Sequence, residues 1–536
     1  MNRKIVHKII NEITNSYLSN LLTIISNRVN DKKDLNAMLN ILINGFKMFK
    51  TEHLTFTYLK KINCLFVPSK IAIRSYLTSG RIKKRVKTVL HNSTLSIIFL
   101  KDVLKKFLEL PNVYSSILSH IEECKNSQLF TFFDSEYWKK VENEKENRIV
   151  LPLVLYFDDV EINNPLGSRK CIHKIGIIYS SILGLPYEFS SMLESIFLVQ
   201  IHNYQDHKVL GNKRIFQHVV NQIINLQENG IIISINNQEY KIFFILPFII
   251  GDNLGLNTIL GYSRNFRSNY CCRICYGDIS NLKKQSVENI SELRTQENYL
   301  SHLRNQSFGI QEECIFNSIS NFHVIDNVSV DPMHDILEGI CRYDLAKILR
   351  YFIDEKQFFT LEILNKRILF FDHISSNKNI PPNLSCESIK KGMIILSASE
   401  MKFLIENLNF IIGDLIPKNN CTWKLYLILS DILHITSIST ITLENIERFN
   451  SLTSEYIKLN LKLFKTPLKI KHHHLVHYSR LMKKFGPLNN MSSIRYEAKH
   501  KQVKEYSKVI TSRKNACYTL SLKHQLQLRS RFVHNF

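Results

Sequence analysis

Three groups of residues in this 536-residue chain stand at spacings that could do chemistry. The first is a cysteine pair, Cys272 and Cys275 in NYCCRICYGD, which suits a tight turn around a zinc ion but supplies only half of the four ligands. The second lies in KIKHHHLVHY, where His473 and His477 are four residues apart and share one face of a helix. Together these four make a Cys2His2 set for one structural Zn2+, although the adjacent Cys271, His472 and His474 leave the choice of ligands open. The third group is acidic. Asp158 and Asp159 end one apolar run, so only one of them can point at a given site, and Asp252 ends a later run. Asp252 also stands where it can cap a helix through NLGLNTIL. Glu497 opens a basic amphipathic stretch, with Lys501, Lys504 and Lys508 following at helical spacing. It suits either an ion-pair partner or a metal ligand beside a surface that grips phosphates. Glu338 in VDPMHDILEG is a competing third acid, because Asp331, His334, Asp335 and Glu338 recur at i, i+3, i+4 and i+7.

The elements that must position these groups can be read from apolar periodicity. Residues 1 to about 145 read as helical, through IVHKIINEITNSYLSNLLTIISNRV and LSIIFLKDVLKKFLELPNVYSSILSHIEE. From Arg148 the character changes. IVLPLVLYFDD reads as a buried strand whose carboxylates emerge at its end. A turn at Pro165 to Ser168 follows, then strands through CIHKIGIIYSSIL and SIFLVQIHNY, a helix through NKRIFQHVVNQIINLQENG, and two extended runs, IIISI and YKIFFILPFIIG. This order, with acids ending the first and last strands, is that of an α/β RNase H-like core over residues 146–280. Residues 281–465 read as a mainly α-helical insertion, and 466–536 carry the His pair, the Glu497 helix and a basic tail.

Charge points to a polyanion. The net charge is +23, and from Leu461 to Phe536 there are 17 Lys or Arg against Glu497 and Glu505 alone. Such a balance suits nucleic acid or an anionic membrane surface. The apolar run ending at Asp252 is too short for a membrane span and contains Pro247. Eleven cysteines, scattered except around Cys271 to Cys275, fit a reducing compartment with a metal site better than a disulfide framework. The stretch RIKKRVK at 81–87 has the composition of a nuclear localisation signal.

The strings FDDVEINNPLGS, GDN, CRIC, VDPMHDILEG, KHHHLVHYSRLMKKFGPL and RYEAKH, taken together, resemble the DDE transposases of the CACTA (En/Spm-like) group and their animal relatives. The layout is also similar to that of the antigen-receptor recombinase catalytic core. The resemblance covers roughly residues 145 to 510. Asp252 precedes Cys272 by 20 positions and His477 precedes Glu497 by 20, spacings similar to those of the family. The resemblance implies an RNase H-like core interrupted by a zinc-bearing helical insertion. It implies a triad of Asp158, Asp252 and Glu497 holding two Mg2+ or Mn2+ ions. It further implies double-stranded DNA as substrate, a homodimer or higher oligomer, no membrane, and action in the nucleus. The rival reading is a domesticated, DNA-binding descendant without catalytic activity.

Overall fold

The computed structural model describes residues 51–82, 85–145, 147–162, 174–371, 379–510 and 515–533. The helical run expected over residues 1–50, the turn at 165–168 and the centre of the basic stretch at 83–84 lie outside these residues. The chain divides into two units, residues 1–68 with 522–536 and residues 69–521. In the first, helix α1 (Glu52–Lys61) starts at Thr51, whose side chain accepts a hydrogen bond from the Leu54 amide at 3.2 Å. Phe66 meets Phe532 edge-on, with ring centres 5.9 Å apart.

The second unit is mixed α/β and holds every candidate site residue. Its strands are β1 (Ser69–Ile82), β2 (Arg85–Ile97), β3 (Ile149–Glu161), β4 (Lys174–Ile182), β5 (Phe197–Asn203), β6 (Ile231–Ile235), β7 (Gln238–Ile245) and β8 (Ile249–Gly251). They form one sheet in the order β1-β2-β5-β4-β3-β7-β6, with β8 also on β3. β4 runs antiparallel to both β3 and β5. β7 and then β8 run parallel to β3 along the same edge. The run expected as one strand, YKIFFILPFIIG, is therefore broken in two. The break falls around Pro247, which has no amide hydrogen to give to a ladder.

β3 is buried on both faces, as the unbroken apolar run from Leu151 to Phe157 requires. Successive side chains alternate between the two faces. Tyr156 stacks on Tyr496 of helix α13 (Ile494–Lys508) at 4.5 Å, whereas Phe157 faces His202 of β5 and His207 and Phe216 of helix α5 (Tyr204–Glu228). The other helices numbered between these are α2 (Leu100–Leu108), α3 (Val113–Asn126) and α4 (Glu136–Glu144), followed after β8 by α6 (Gln296–Arg304), α7 (Cys341–Arg350) and α8 (Leu361–Phe370). Then come α9 (Ala398–Ile412), α10 (Cys421–Ser437), α11 (Leu443–Phe464), α12 (Tyr478–Phe485) and α13 (Ile494–Lys508). Residues 296–464 are accordingly mainly helical. None of the described helices is long and apolar enough to cross a membrane.

One expectation needs correcting. Residues 69–97 lie inside the region read as helical up to about 145, yet they form the β1–β2 hairpin. Helical periodicity is real on either side of it but not within it. IAIRSYLT and TVLHNSTLSI are rich in β-branched residues and alternate with period two, the pattern of a strand.

Replacing Phe157 by Ala should empty a fully enclosed site between β3 and α5, lowering the unfolding free energy by about 3–5 kcal/mol. Leu77→Ala, at a side chain 70% exposed, should change it by less than about 0.5 kcal/mol. Denaturant titration of both variants checks the pair, and equal effects would contradict the packing described.

Candidate metal centre and carboxylate cluster

The Cys272–Cys275 turn lies against the segment Ile470–His477, which is α-helical through His474 and tightens to a 3-10 turn over Leu475–His477. Despite that change of pitch, His473 and His477 reach the same point. The His473 Nε2 is 3.3 Å from Cys275 Sγ, the His477 Nε2 is 3.8 Å from Cys272 Sγ, and the two Nε2 atoms are 3.0 Å apart. Tetrahedral zinc, with Zn–N near 2.0–2.1 Å and Zn–S near 2.3 Å, sets ligand atoms roughly 3.3–3.8 Å from one another. The four ligand atoms lie within 4.8 Å of one another, and all four residues are buried. This buried Cys2His2 cluster could bind a metal ion such as zinc.

The His477 Nδ1 is 2.5 Å from Glu288 Oε1, and Arg480 donates to the same carboxylate, so the ring is oriented by a carboxylate behind it. The Ile274 amide points at Cys272 Sγ at 3.4 Å. Burial opposes ionisation of Cys272, but hydrogen bonds from Cys275 and the His473 and His477 rings pull its thiol well below the usual range. Burial holds His473 neutral, lowered to about 4. Of the neighbours left open by the sequence, the two histidines are engaged elsewhere. Burial pushes the Cys271 thiol up to about 12. His472 pairs with Asp344 at 2.8 Å, and His474 with Asp335 at 3.0 Å.

The carboxylates gather at one end of the sheet. Phe157 and Gly251 are partners on parallel β3 and β8, so Asp158 and Asp252 stand one residue beyond a matched pair on adjacent strands. Asp252 Oδ1 also accepts the Gly255 amide at 2.5 Å, capping the helix Asn253–Ile259. Burial and the nearby Asp158 charge raise its pKa. Strand alternation separates the two adjacent acids. Asp158 shares the α13 face with Tyr156, and its Oδ2 lies 3.3 Å from His500 Nδ1. Asp159 turns to the other face and pairs with Lys174 at 3.4 Å. Burial there outweighs the lysine and raises it to about 6.

Glu497, in the first turn of α13, meets His334 Nε2 at 3.1 Å. The other ring nitrogen of His334 meets Asp331 at 2.5 Å, and Ser493 donates its hydroxyl to the same carboxylate at 2.6 Å. Burial disfavours a charged ring, yet the hydrogen bonds and charges of Asp331 and Glu497 push the His334 pKa up to about 11. Among the described residues, the Cys2His2 set alone brings three or more ligand atoms within 4.8 Å of one another, so the three carboxylates are neighbours without being that close. The polar face expected at Asp331, His334, Asp335 and Glu338 does not converge. It sits on π-helical turns, Met333–Ile340. Asp335 turns inward, and Glu338 pairs with Arg342 at 2.8 Å.

A buried polar chain joins the two sites. Arg273, between the two cysteines, donates to Asn253 at 2.8 Å and to the Ser329 carbonyl at 2.9 Å. Asn253, next to Asp252, donates to Asp335 at 2.7 Å. Asp335 also receives Tyr478 at 2.9 Å and His474. Although burial works against its charge, His474, Lys471 and Arg273 lower it to about 2. Sequence reading passed over Asn253, Arg273, Ser493 and His500 because their partners lie tens to hundreds of residues away. The one available signal was adjacency to a candidate ligand or acid.

No family model matches the chain, and no curated protein matches it.

Metal analysis of the purified protein should find about one equivalent of zinc, and Cys275→Ser should lose it; full retention by the variant would exclude the shared site. A second outcome concerns pH. His334 is held above its unfolded value of 6.5, so the stability it contributes is complete below that pH and drains away as pH rises toward 11. Between pH 7 and 10, the unfolding free energy should fall more steeply for the wild type than for His334→Gln. Parallel slopes would rule out the charged ring.

Proposed function

We propose that this chain is a DDE-type DNA transposase that cuts and joins phosphodiesters, with Asp158, Asp252 and Glu497 as its catalytic acids. The observation that carries the reading is the matched placement of Asp158 and Asp252, each one residue beyond the Phe157–Gly251 pair of parallel β3 and β8, with Glu497 on the helix covering Asp158's face. The sheet supports it. Three antiparallel strands, then a helix, then strands parallel to the first is the order expected of an RNase H-like core.

The donor set suits hard divalent cations, since carboxylate oxygens are their preferred ligands. Asp252 is half-buried beside Asp158, an excess of negative charge that a cation would relieve. When bound, Mg2+ or Mn2+ would supply an activated water or 3′-hydroxyl and charge stabilisation for the departing oxygen. The chain's own residues set the geometry. The cap to Gly255 fixes Asp252, and His500 lies behind Asp158. Glu497 is held by His334, itself braced by Asp331 and Ser493, so Glu497 must exchange this partner before it can join the aspartates. The Cys2His2 cluster, loaded with zinc, would fix the segment from which α12 and then α13 run on to Glu497. The expected substrate is double-stranded DNA, bound by a dimer or larger assembly that holds two ends together, in the nucleus.

The His334–Glu497 pair also favours a second reading, a domesticated DNA-binding protein in which the acids no longer act. Nicking separates the two. With Mg2+ and a supercoiled plasmid carrying the gene's own flanking sequence, the wild type should nick, and Asp252→Ala or Glu497→Ala should lose about a thousandfold or more in rate. Both variants should keep their affinity for the DNA. Nicking at the wild-type rate by both would remove the triad, and an inactive wild type that binds DNA would leave the second reading.

A further inference from the structure

Seven residues between Ser69 and Ile97 are Lys or Arg, and none is acidic; the flanking carboxylates along the chain are Glu52 and Asp102. Within this stretch Ser69–Ile82 and Arg85–Ile97 form a two-stranded antiparallel ribbon. Ser96 and Ile97 pair with Ile201 and Gln200 of β5. Near that base the Ser93 hydroxyl donates to Asp206 at 2.8 Å, and Arg214 donates to the Ile73 carbonyl at 3.3 Å. Further out, from Arg74 to Ile82 and from Arg85 to Ser93, the described strand pairing is of the two strands with each other. At about 3.3 Å per residue this length is roughly 27 Å.

Register shows where the ribbon leaves the sheet. Ser96 is level with Ile201, Ile201 with Ile177, and Ile177 with Asp158, four strands in one row. Three strand spacings put the base of the ribbon about 14 Å from Asp158. Because β2 runs antiparallel to β5, the ribbon continues from Ser96 past the same end of the sheet at which β3 and β8 reach Asp158 and Asp252. The charges along it are of one sign. A lysine-rich edge can serve simply to block edge-to-edge aggregation, but acids would serve that purpose equally, and here there are none. Two exposed side chains, Leu77 and Leu90, face each other across the ribbon beside Tyr76, whose ring lies 5.0 Å below the Arg74 guanidinium.

We propose that the β1–β2 ribbon is an arm that lies in a groove of duplex DNA beside the carboxylate cluster. The major groove, about 12 Å wide, admits a two-stranded ribbon, and the length of the paired strands beyond the base approaches one helical turn of about 34 Å. The lysines and arginines neutralise phosphates, while Leu77 and Leu90 offer apolar contact to thymine methyl groups. The position of the DNA over the acids rests on the proposed nuclease reading; the ribbon's attraction for duplex DNA does not.

The test uses the full chain, a 30-base-pair duplex and EDTA in place of divalent metal. Arg74→Ala, Arg81→Ala, Arg85→Ala and Lys87→Ala combined should weaken binding at least about tenfold near 150 mM salt and flatten the log–log salt dependence by about 3 to 4. Arg74→Lys with Arg81→Lys and Arg85→Lys should stay within about threefold of the wild type. Unchanged affinity and slope in a folded alanine variant would overturn the arm. So would a lysine variant as weak as the alanine one, since charge would then not be the cause. Should the alanine variant not fold, Leu77→Cys carrying an environment-sensitive fluorophore reads the ribbon directly. Its emission should shift on adding duplex, and no shift at saturating DNA, or a shift only with phosphatidylserine vesicles, refutes the proposal. Asp252→Ala should preserve these binding responses, so a failed nicking assay would sink the nuclease reading and leave the arm standing.

Discussion

A carboxylate with no access to water dictates much of the arrangement around these sites. Asp335 is fully buried, and an unpaired charge there would cost several kcal/mol. It is tolerated because His474, Tyr478 and Asn253 hydrogen-bond to it and Arg273 stands behind Asn253. Each of these partners stands beside a residue of one of the two candidate sites. Arg273 sits between the two cysteines, His474 follows His473, Tyr478 follows His477, Asn253 follows Asp252, and Asp335 itself follows His334. The chain thus alternates residues that form the sites with residues that fix the sites relative to one another. Moving the Cys272–Cys275 turn would disturb the Asp335 cluster, and through Asn253 it would disturb the strand end that carries Asp252.

The run of three histidines applies the same logic to a helix. Successive helical side chains point about 100° apart, so neighbours cannot serve one site. His473 joins the cysteines, and His474 goes to Asp335. His472 goes to Asp344, a second buried carboxylate that also receives Tyr456 and Asn460 of α11. Burial opposes the charge on Asp344, yet His472, Lys347 and Tyr456 hold its pKa far below the usual range. One short segment therefore fastens the helical region, the Cys2His2 cluster and the strand end bearing Asp252.

The sheet distributes its acids by parity in the same way. β3 is covered on both faces, so Asp158 and Asp159 meet different partners. Asp158 is near His500 on the α13 face, and Asp159 is near Lys174 on the other. Glu497 rides on α13, which is pinned to β3 by the stacked Tyr156 and Tyr496 rings and by Ser181, 2.6 Å from the Tyr496 hydroxyl. The aromatic stack sets how far the helix stands from the strand, and so how far Glu497 stands from the aspartates.

Much of this was written locally. The apolar run of β3, the strands through β4 and β5, the helix before β6 and the mainly helical region beyond residue 281 follow from periodicity, because each buries a face whose pattern is short-range. The four possible ligands were legible from residue type and spacing. Periodicity failed at the β1–β2 ribbon, which was taken into the helices around it, and at Pro247, where one expected strand became two. What no local pattern could supply was direction. Whether Asp158 or Asp159 faces Glu497 and which of four histidines meet the cysteines depend on partners as far as 342 residues away, the separation of Asp158 and His500. A side chain's direction is set by the pleat or pitch of its own element, but its partner is set by packing, and only the folded chain brings Asp344 to His472 and His334 to Glu497.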